Sequence, residues 1–185
     1  MVYTKLQIIN MALTYLGNKN IELLTEDNPA ANAVKFIYDT TKAVELGSYR
    51  WSFAVKRVVL TAELIAPLFG FDFKYKVPAD FLKLEEIVEA PYYECEGGFL
   101  LTNSGNKIKI KYTANVAEAE FTDLFADVLA YKLAIKACEK TAQSSKKKAD
   151  LYSEYNVHIN NAKKQNALQL AARQLRESEF VDARY

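Results

Sequence analysis

The chain has one histidine, two cysteines, six glycines and four prolines in 185 residues, and each shortage removes a class of explanation. So few chain breakers, in a sequence half apolar and a quarter charged, exclude collagen-like and disordered chains and leave an ordinary packed protein. Cys95 and Cys138 lack the short paired spacing of zinc or redox motifs, and both are expected to be plain buried small residues. His158 has no Ser, Cys or carboxylate spaced to make a recognisable triad or metal set, so no catalytic role is expected of it. No apolar run approaches the roughly 20 residues that span a bilayer. Met1 to Lys5 lacks the basic start and apolar stretch of a secretory signal. The expectation is a soluble chain made in a cytoplasm, without a membrane partner. An excess of one charge is missing too: 24 basic against 23 acidic side chains argue against a protein whose main task is to coat nucleic acid.

What is present is segregated. Residues 1–131 carry 13 basic and 17 acidic side chains, whereas residues 132–176 carry 10 and 3, so a basic surface near the end of the chain is available to a partner or a neighbouring subunit. Leu6, Ile9, Leu13 and Leu16 predict a first helix from Thr4 to Leu16, stopped at Gly17-Asn18. Asn28-Pro29 starts a second, to Tyr49, with Ala33, Val34, Ile37, Thr41, Val44 and Ser48 on its inner face. Between them Ile21, Leu23 and Leu24 make a loop apolar enough to need a packing surface.

From Trp51 the period shortens. Phe53 to Leu60, Phe71 to Val77, Leu82 to Glu89, Tyr92 to Glu96, Phe99 to Thr102 and Lys107 to Thr113 read as strands, separated by Gly97-Gly98 and Asn103 to Asn106. The helical period returns with Leu124, Val128, Tyr131, Ile135, Cys138 and Ala142 as a seam. Ser144-Ser145 then caps a last helix with Tyr152, Tyr155, Ile159 and Ala162 inward, running as far as Arg176. The expected fold class is α+β and mainly helical, a bundle of about four helices (residues 1–50 and 114–168). A small antiparallel β lobe (51–113) is inserted, and a C-terminal helical arm (169–185) follows.

Chemistry is sparse. Glu85, Glu86 and Glu89 could supply the facing acids of a glycoside hydrolase, but acids on a wetted strand face are far commoner. The glycines lack the strand-to-helix context of a phosphate-binding loop. Lys146 to Lys148 read as a solvated helix start, with a compensating partner as the alternative because three cations at the positive end of a helix are mildly unfavourable.

Three stretches together carry a resemblance: Ala12-Leu13-Thr14-Tyr15-Leu16-Gly17, then Trp51-Ser52-Phe53-Ala54-Val55-Lys56-Arg57, then Phe69-Gly70-Phe71 leading to Tyr75-Lys76-Val77-Pro78-Ala79-Asp80-Phe81-Leu82. In this order, around a helix pair, β lobe and helix pair, the chain resembles the tail tubular protein A family of short-tailed phages, the head-to-tail adaptors, over about residues 5 to 170. The resemblance implies a structural virion protein at the head–tail junction and not an enzyme. It implies no cofactor, a homo-oligomeric, dodecameric ring, a portal protein on one side, a tail or nozzle protein on the other, and DNA passing through without specific binding. Assembly would begin in the host cytoplasm. By position and charge, Lys163, Lys164, Arg173, Arg176, Phe180 and Tyr185 are the expected portal-binding residues. The alternatives are a virion-associated peptidoglycan or polysaccharide hydrolase using the acids above, and a nucleic-acid-binding domain using the basic last helix.

Overall fold

The computed structural model describes residues 2–88, 90, 92–141 and 144–182, with the side chains of the last helix described as far as Leu170. It is a mixed α+β protein with four α-helices and two small antiparallel sheets. Contacts divide the chain into two units, Met1–Glu45 with Ala117–Tyr185, and Leu46–Val116.

The first unit is helical. In α1 (Lys5–Leu16) Thr4 and Gln7 form a reciprocal capping box, and Gly17, at φ 78°, closes the other end in the left-handed conformation that favours glycine. Ile8, Ile9, Ala12, Leu13 and Leu16 are its buried side. Of the apolar loop that follows, only Ile21 is buried, whereas Leu23 and Leu24 face solvent, contrary to the expectation that the loop packs as a whole. The reason is local. Asn10 accepts from the Ile21 N–H at 3.0 Å and donates to its carbonyl at 2.9 Å, which pins one residue and leaves the rest outside.

The second helix, α2 (Pro29–Ser48), turns the first part of the expected face inward, with Ala33, Val34 and Thr41 buried and Ile37 half-buried, but departs from it towards the end. Val44 is half exposed and Ser48 exposed, while Tyr38, Lys42 and Glu45, which are not on the expected face, are buried. Polar pairing accounts for it: Lys42 reaches Glu118 at 3.0 Å, and Lys136 of α3 (Asp123–Thr141) donates to Thr41 at 3.1 Å. The helix α3 packs against both α1 and α4 (Ser145–Asp182), so more than one stripe is covered. Leu129, Leu133 and Ala126, Ala130, Ala134 and Ala137 are buried together with Val128, Ile135 and Cys138, while Leu124 and Tyr131 of the expected seam are half-buried. A central helix has no single wet face for periodicity to report, and its alanines let two neighbours approach. Ala142, the last residue of that seam, lies outside the described residues.

The second unit holds the sheets. Strands β1 (Val55–Thr61), β6 (Lys107–Ala114) and β3 (Phe81–Val88) form one, in the order β1-β6-β3, and β2 (Phe73–Lys76), β5 (Phe99–Thr102) and β4 (Tyr93–Glu96) form the other, in the order β2-β5-β4. Phe53 lies in a short 3-10 turn, Ser52–Ala54, and not in β1. The alternation from Phe71 to Val77 yields a strand of only four residues, because Asp72 is tied to the Asn103 side chain at 2.8 Å instead of to a strand. In the turn before β3, Asp80 accepts from Lys56 at 2.9 Å and from Tyr112 at 3.0 Å. Burial raises the Asp80 pKa, but these two donors outweigh it and hold the group below its ordinary value. Cys138 is buried, but Cys95 is exposed. It stands on β4, an edge strand with every side chain open to solvent.

Candidate functional site

The basic stretch spans two helices: Lys132, Lys136 and Lys140 lie on α3 and its other seven basic residues on α4. α4 begins at a serine cap, where Ser144 Oγ accepts from the Lys147 N–H at 3.2 Å. One of the three cations that follow finds a counter-charge. Lys148 pairs with Glu139 at the end of α3 and holds that carboxyl below its usual value. Leu151, Tyr155, Ile159, Ala162 and Asn166 then recur at steps of four, four, three and four as the buried stripe. Asn166 is its last described member, and the helix continues to Asp182, beyond the expected stop at Arg176.

The expected portal-binding residues fall on this helix unevenly. Lys163 is half-buried and Lys164 exposed, next to each other just before the last buried position. Arg173, Arg176 and Phe180 lie in the helical backbone, but their side chains are outside the described ones, and Tyr185 lies outside the described residues altogether.

α4 is fastened by polar groups that the sequence pattern did not disclose. Tyr155 donates to Glu45 Oε2 at 3.0 Å, Lys132 stands 3.4 Å from the other oxygen, and the Lys132 ammonium lies 4.6 Å from the Tyr155 ring centre. Burial and the neighbouring carboxylate raise the Tyr155 pKa. His158 Nδ1 lies 2.6 Å from Asp127 Oδ2, and Tyr15 donates to the second oxygen of the same carboxylate. Between them Tyr131 stacks on Tyr15, with ring centres 4.1 Å apart, and lies 4.8 Å from His158. Burial and the Asp127 hydrogen bond push the Tyr15 hydroxyl up. The sequence therefore does hold a carboxylate for His158, 31 positions away on a different helix, where no local spacing could reveal it. Among the described residues no Ser or Cys completes this group. Its geometry ties α1, α3 and α4 through one carboxylate.

The acids of β3 are each engaged within their own sheet. Glu85 accepts from Thr113 at 2.8 Å, and Glu86 pairs with Lys111, which lowers its pKa. Glu89 lies outside the described residues. Among the described residues no cluster of three or more His, Cys, Asp or Glu side chains could hold a metal ion, and no helix is long and apolar enough to cross a membrane. The region between β1 and β2, residues 62–72, is unlike the rest of the surface, because Leu64, Ile65, Leu68 and Phe69 all face solvent. No protein-family model and no curated protein matches this chain.

Proposed function

We propose that the chain is a structural adaptor of the head-to-tail kind found in short-tailed phages. In this reading it assembles into a dodecameric ring, grips a portal protein through the end of α4, presents a tail or nozzle protein with its other side, and continues the DNA conduit. Its four helices form the bundle of the body, the sheets form the inserted lobe, and the end of α4 is the arm.

The observation that carries the proposal is α4 itself. A helix of 38 residues is about 57 Å long, and its described buried stripe reaches only Asn166. Helices draw most of their stability from packing an apolar side, so a continuation to Asp182 with Arg173, Arg176 and Phe180 in its sequence suits an element completed by a partner. The resemblance over residues 5 to 170 supports the same assignment. Near-neutral net charge suits a conduit, because a strongly basic bore would hold DNA by phosphate neutralisation.

Truncation tests it. Deleting Gln169 to Tyr185 should leave the melting temperature of the body unchanged and abolish co-sedimentation with the portal encoded in the same genome. Equal portal binding by the truncated chain overturns the assignment.

A further inference from the structure

The second sheet carries its charge in two opposed rows. On the face shared by Phe99 and Leu101, Lys74 and Lys76 lie along β2 at one edge, and Glu94 and Glu96 along β4 at the other. Register sets Lys74 level with Glu94 across Leu101, and Lys76 level with Glu96 across Phe99. With β5 between them the rows stand two strand spacings apart, about 10 Å, and the Lys74 ammonium lies 5.4 Å from the Phe99 ring centre between them. Among the described residues no ion pair takes up either row.

The loop leading into β2 supplies the apolar complement. Leu64, Ile65, Leu68 and Phe69 are 104, 75, 99 and 87% exposed, four large apolar side chains left almost wholly in water within six positions. At roughly 150 Å² each they offer on the order of 600 Å², against about 800 Å² contributed by each partner of a standard interface. An open groove of 810 Å³, lined in part by Leu68, Phe69, Lys74, Glu94, Glu96 and Phe99, joins this loop to both charged rows as one surface.

We propose that a second copy of this chain docks here. The apolar loop and the Lys74/Lys76 edge of one subunit pack against the β4 edge of the next, where Tyr93, Glu94 and Glu96 are exposed. A surface holding one row of each sign is self-complementary. Copies set side by side present the acidic edge of one to the basic edge of the next at the same levels, which is the heterologous contact that closes into a ring. The backbone edge of β2 is already occupied, since the Glu63 N–H donates to the Lys74 carbonyl at 2.8 Å, so the contact is made by side chains and not by an added strand. Glu63 and Asp72 stand at the two ends of the loop and bring acidic charge beside the basic edge of β2. Affinity therefore comes from the apolar loop, and the charged rows set register. The inference rests on the ring reading above for closure of the assembly.

The test uses the full chain in sedimentation velocity and native mass spectrometry, with portal co-sedimentation run in parallel. The wild-type chain should self-associate with rising concentration. Lys74→Glu with Lys76→Glu, and separately Glu94→Lys with Glu96→Lys, should each weaken association by at least about tenfold. An equimolar mixture of the two variants should restore it, a rescue that damaged folding could not produce. Leu68→Ser with Phe69→Ser should abolish it. A wild-type chain that stays monomeric, reversal variants that associate like wild type, or a mixture that stays apart overturns the contact. Should the contact fail in this way while the wild-type chain still co-sediments with the portal, the adaptor reading stands without it. A wild-type chain that ignores the portal removes the adaptor reading whatever the self-association shows.

Discussion

Lys42 and Glu118 show how much of this protein is decided by polar groups inside it. The lysine side chain is 10% exposed and the glutamate 21%, Tyr38 donates to the same carboxylate oxygen at 3.2 Å, and the ammonium lies 5.5 Å from the Phe121 ring centre. Burial alone raises the Glu118 pKa, but the Lys42 and Tyr38 contacts outweigh it and leave the group below its ordinary value. A depressed carboxylate contributes stability that is present above its unfolded value and lost as pH falls through the folded one. Glu118→Gln should therefore destabilise the chain by about 2 kcal/mol at neutral pH, by leaving a buried cation without its counter-charge, and the deficit should shrink below about pH 4. Urea unfolding at both pH values checks this, and an equal deficit at both denies the charge term. The same residues explain why the inner side of α2 was misread in its last turns. A pattern scored on apolar side chains counts Val44 inward and Lys42 and Glu45 outward, and only partners distant in sequence, Glu118 and Tyr155, reverse the choice.

Elements with one wet face were the readable ones. The start of β6, where Lys107 and Lys109 face solvent and Ile108 and Ile110 are buried, follows from alternation, and α1 follows from its stripe and the glycine that stops it. The strand β5, Phe99–Thr102, is covered on both faces and was bounded instead by the turn residues on either side. Where an element is covered on two sides the signal weakens, as for α3, and where a strand sits at an edge burial cannot be inferred, as for Cys95. In α3, Ile135 is 6% exposed among fully buried neighbours. Ile135→Asp places an unpaired charge there and should cost more than about 4 kcal/mol, enough to unfold a marginal domain. Loss of the thermal transition in circular dichroism is the expected result, and an unchanged melting temperature would remove α3 from the centre of the helical unit. The candidate site was partly legible at this scale. Composition located the basic segment near the end of the chain, most of it on α4, but the Tyr15–Asp127–His158 tie and the Glu45–Tyr155 bond that fasten α4 join three or more elements and leave no local trace.

At the scale of the molecule, the proposed account assigns opposite ends of the work to different parts of the chain: α4 to a foreign partner, and the second sheet with its apolar loop to neighbouring copies. Each part carries an attribute of its own, a long helix with an excess of basic residues in one case and matched acidic and basic edges in the other. The most direct measurement is electron microscopy of the full-length protein mixed with the portal from the same genome. The account predicts closed rings seated coaxially on the portal, one subunit per portal subunit, with the end of α4 lying against it. Portal particles that remain bare at saturating protein would contradict it.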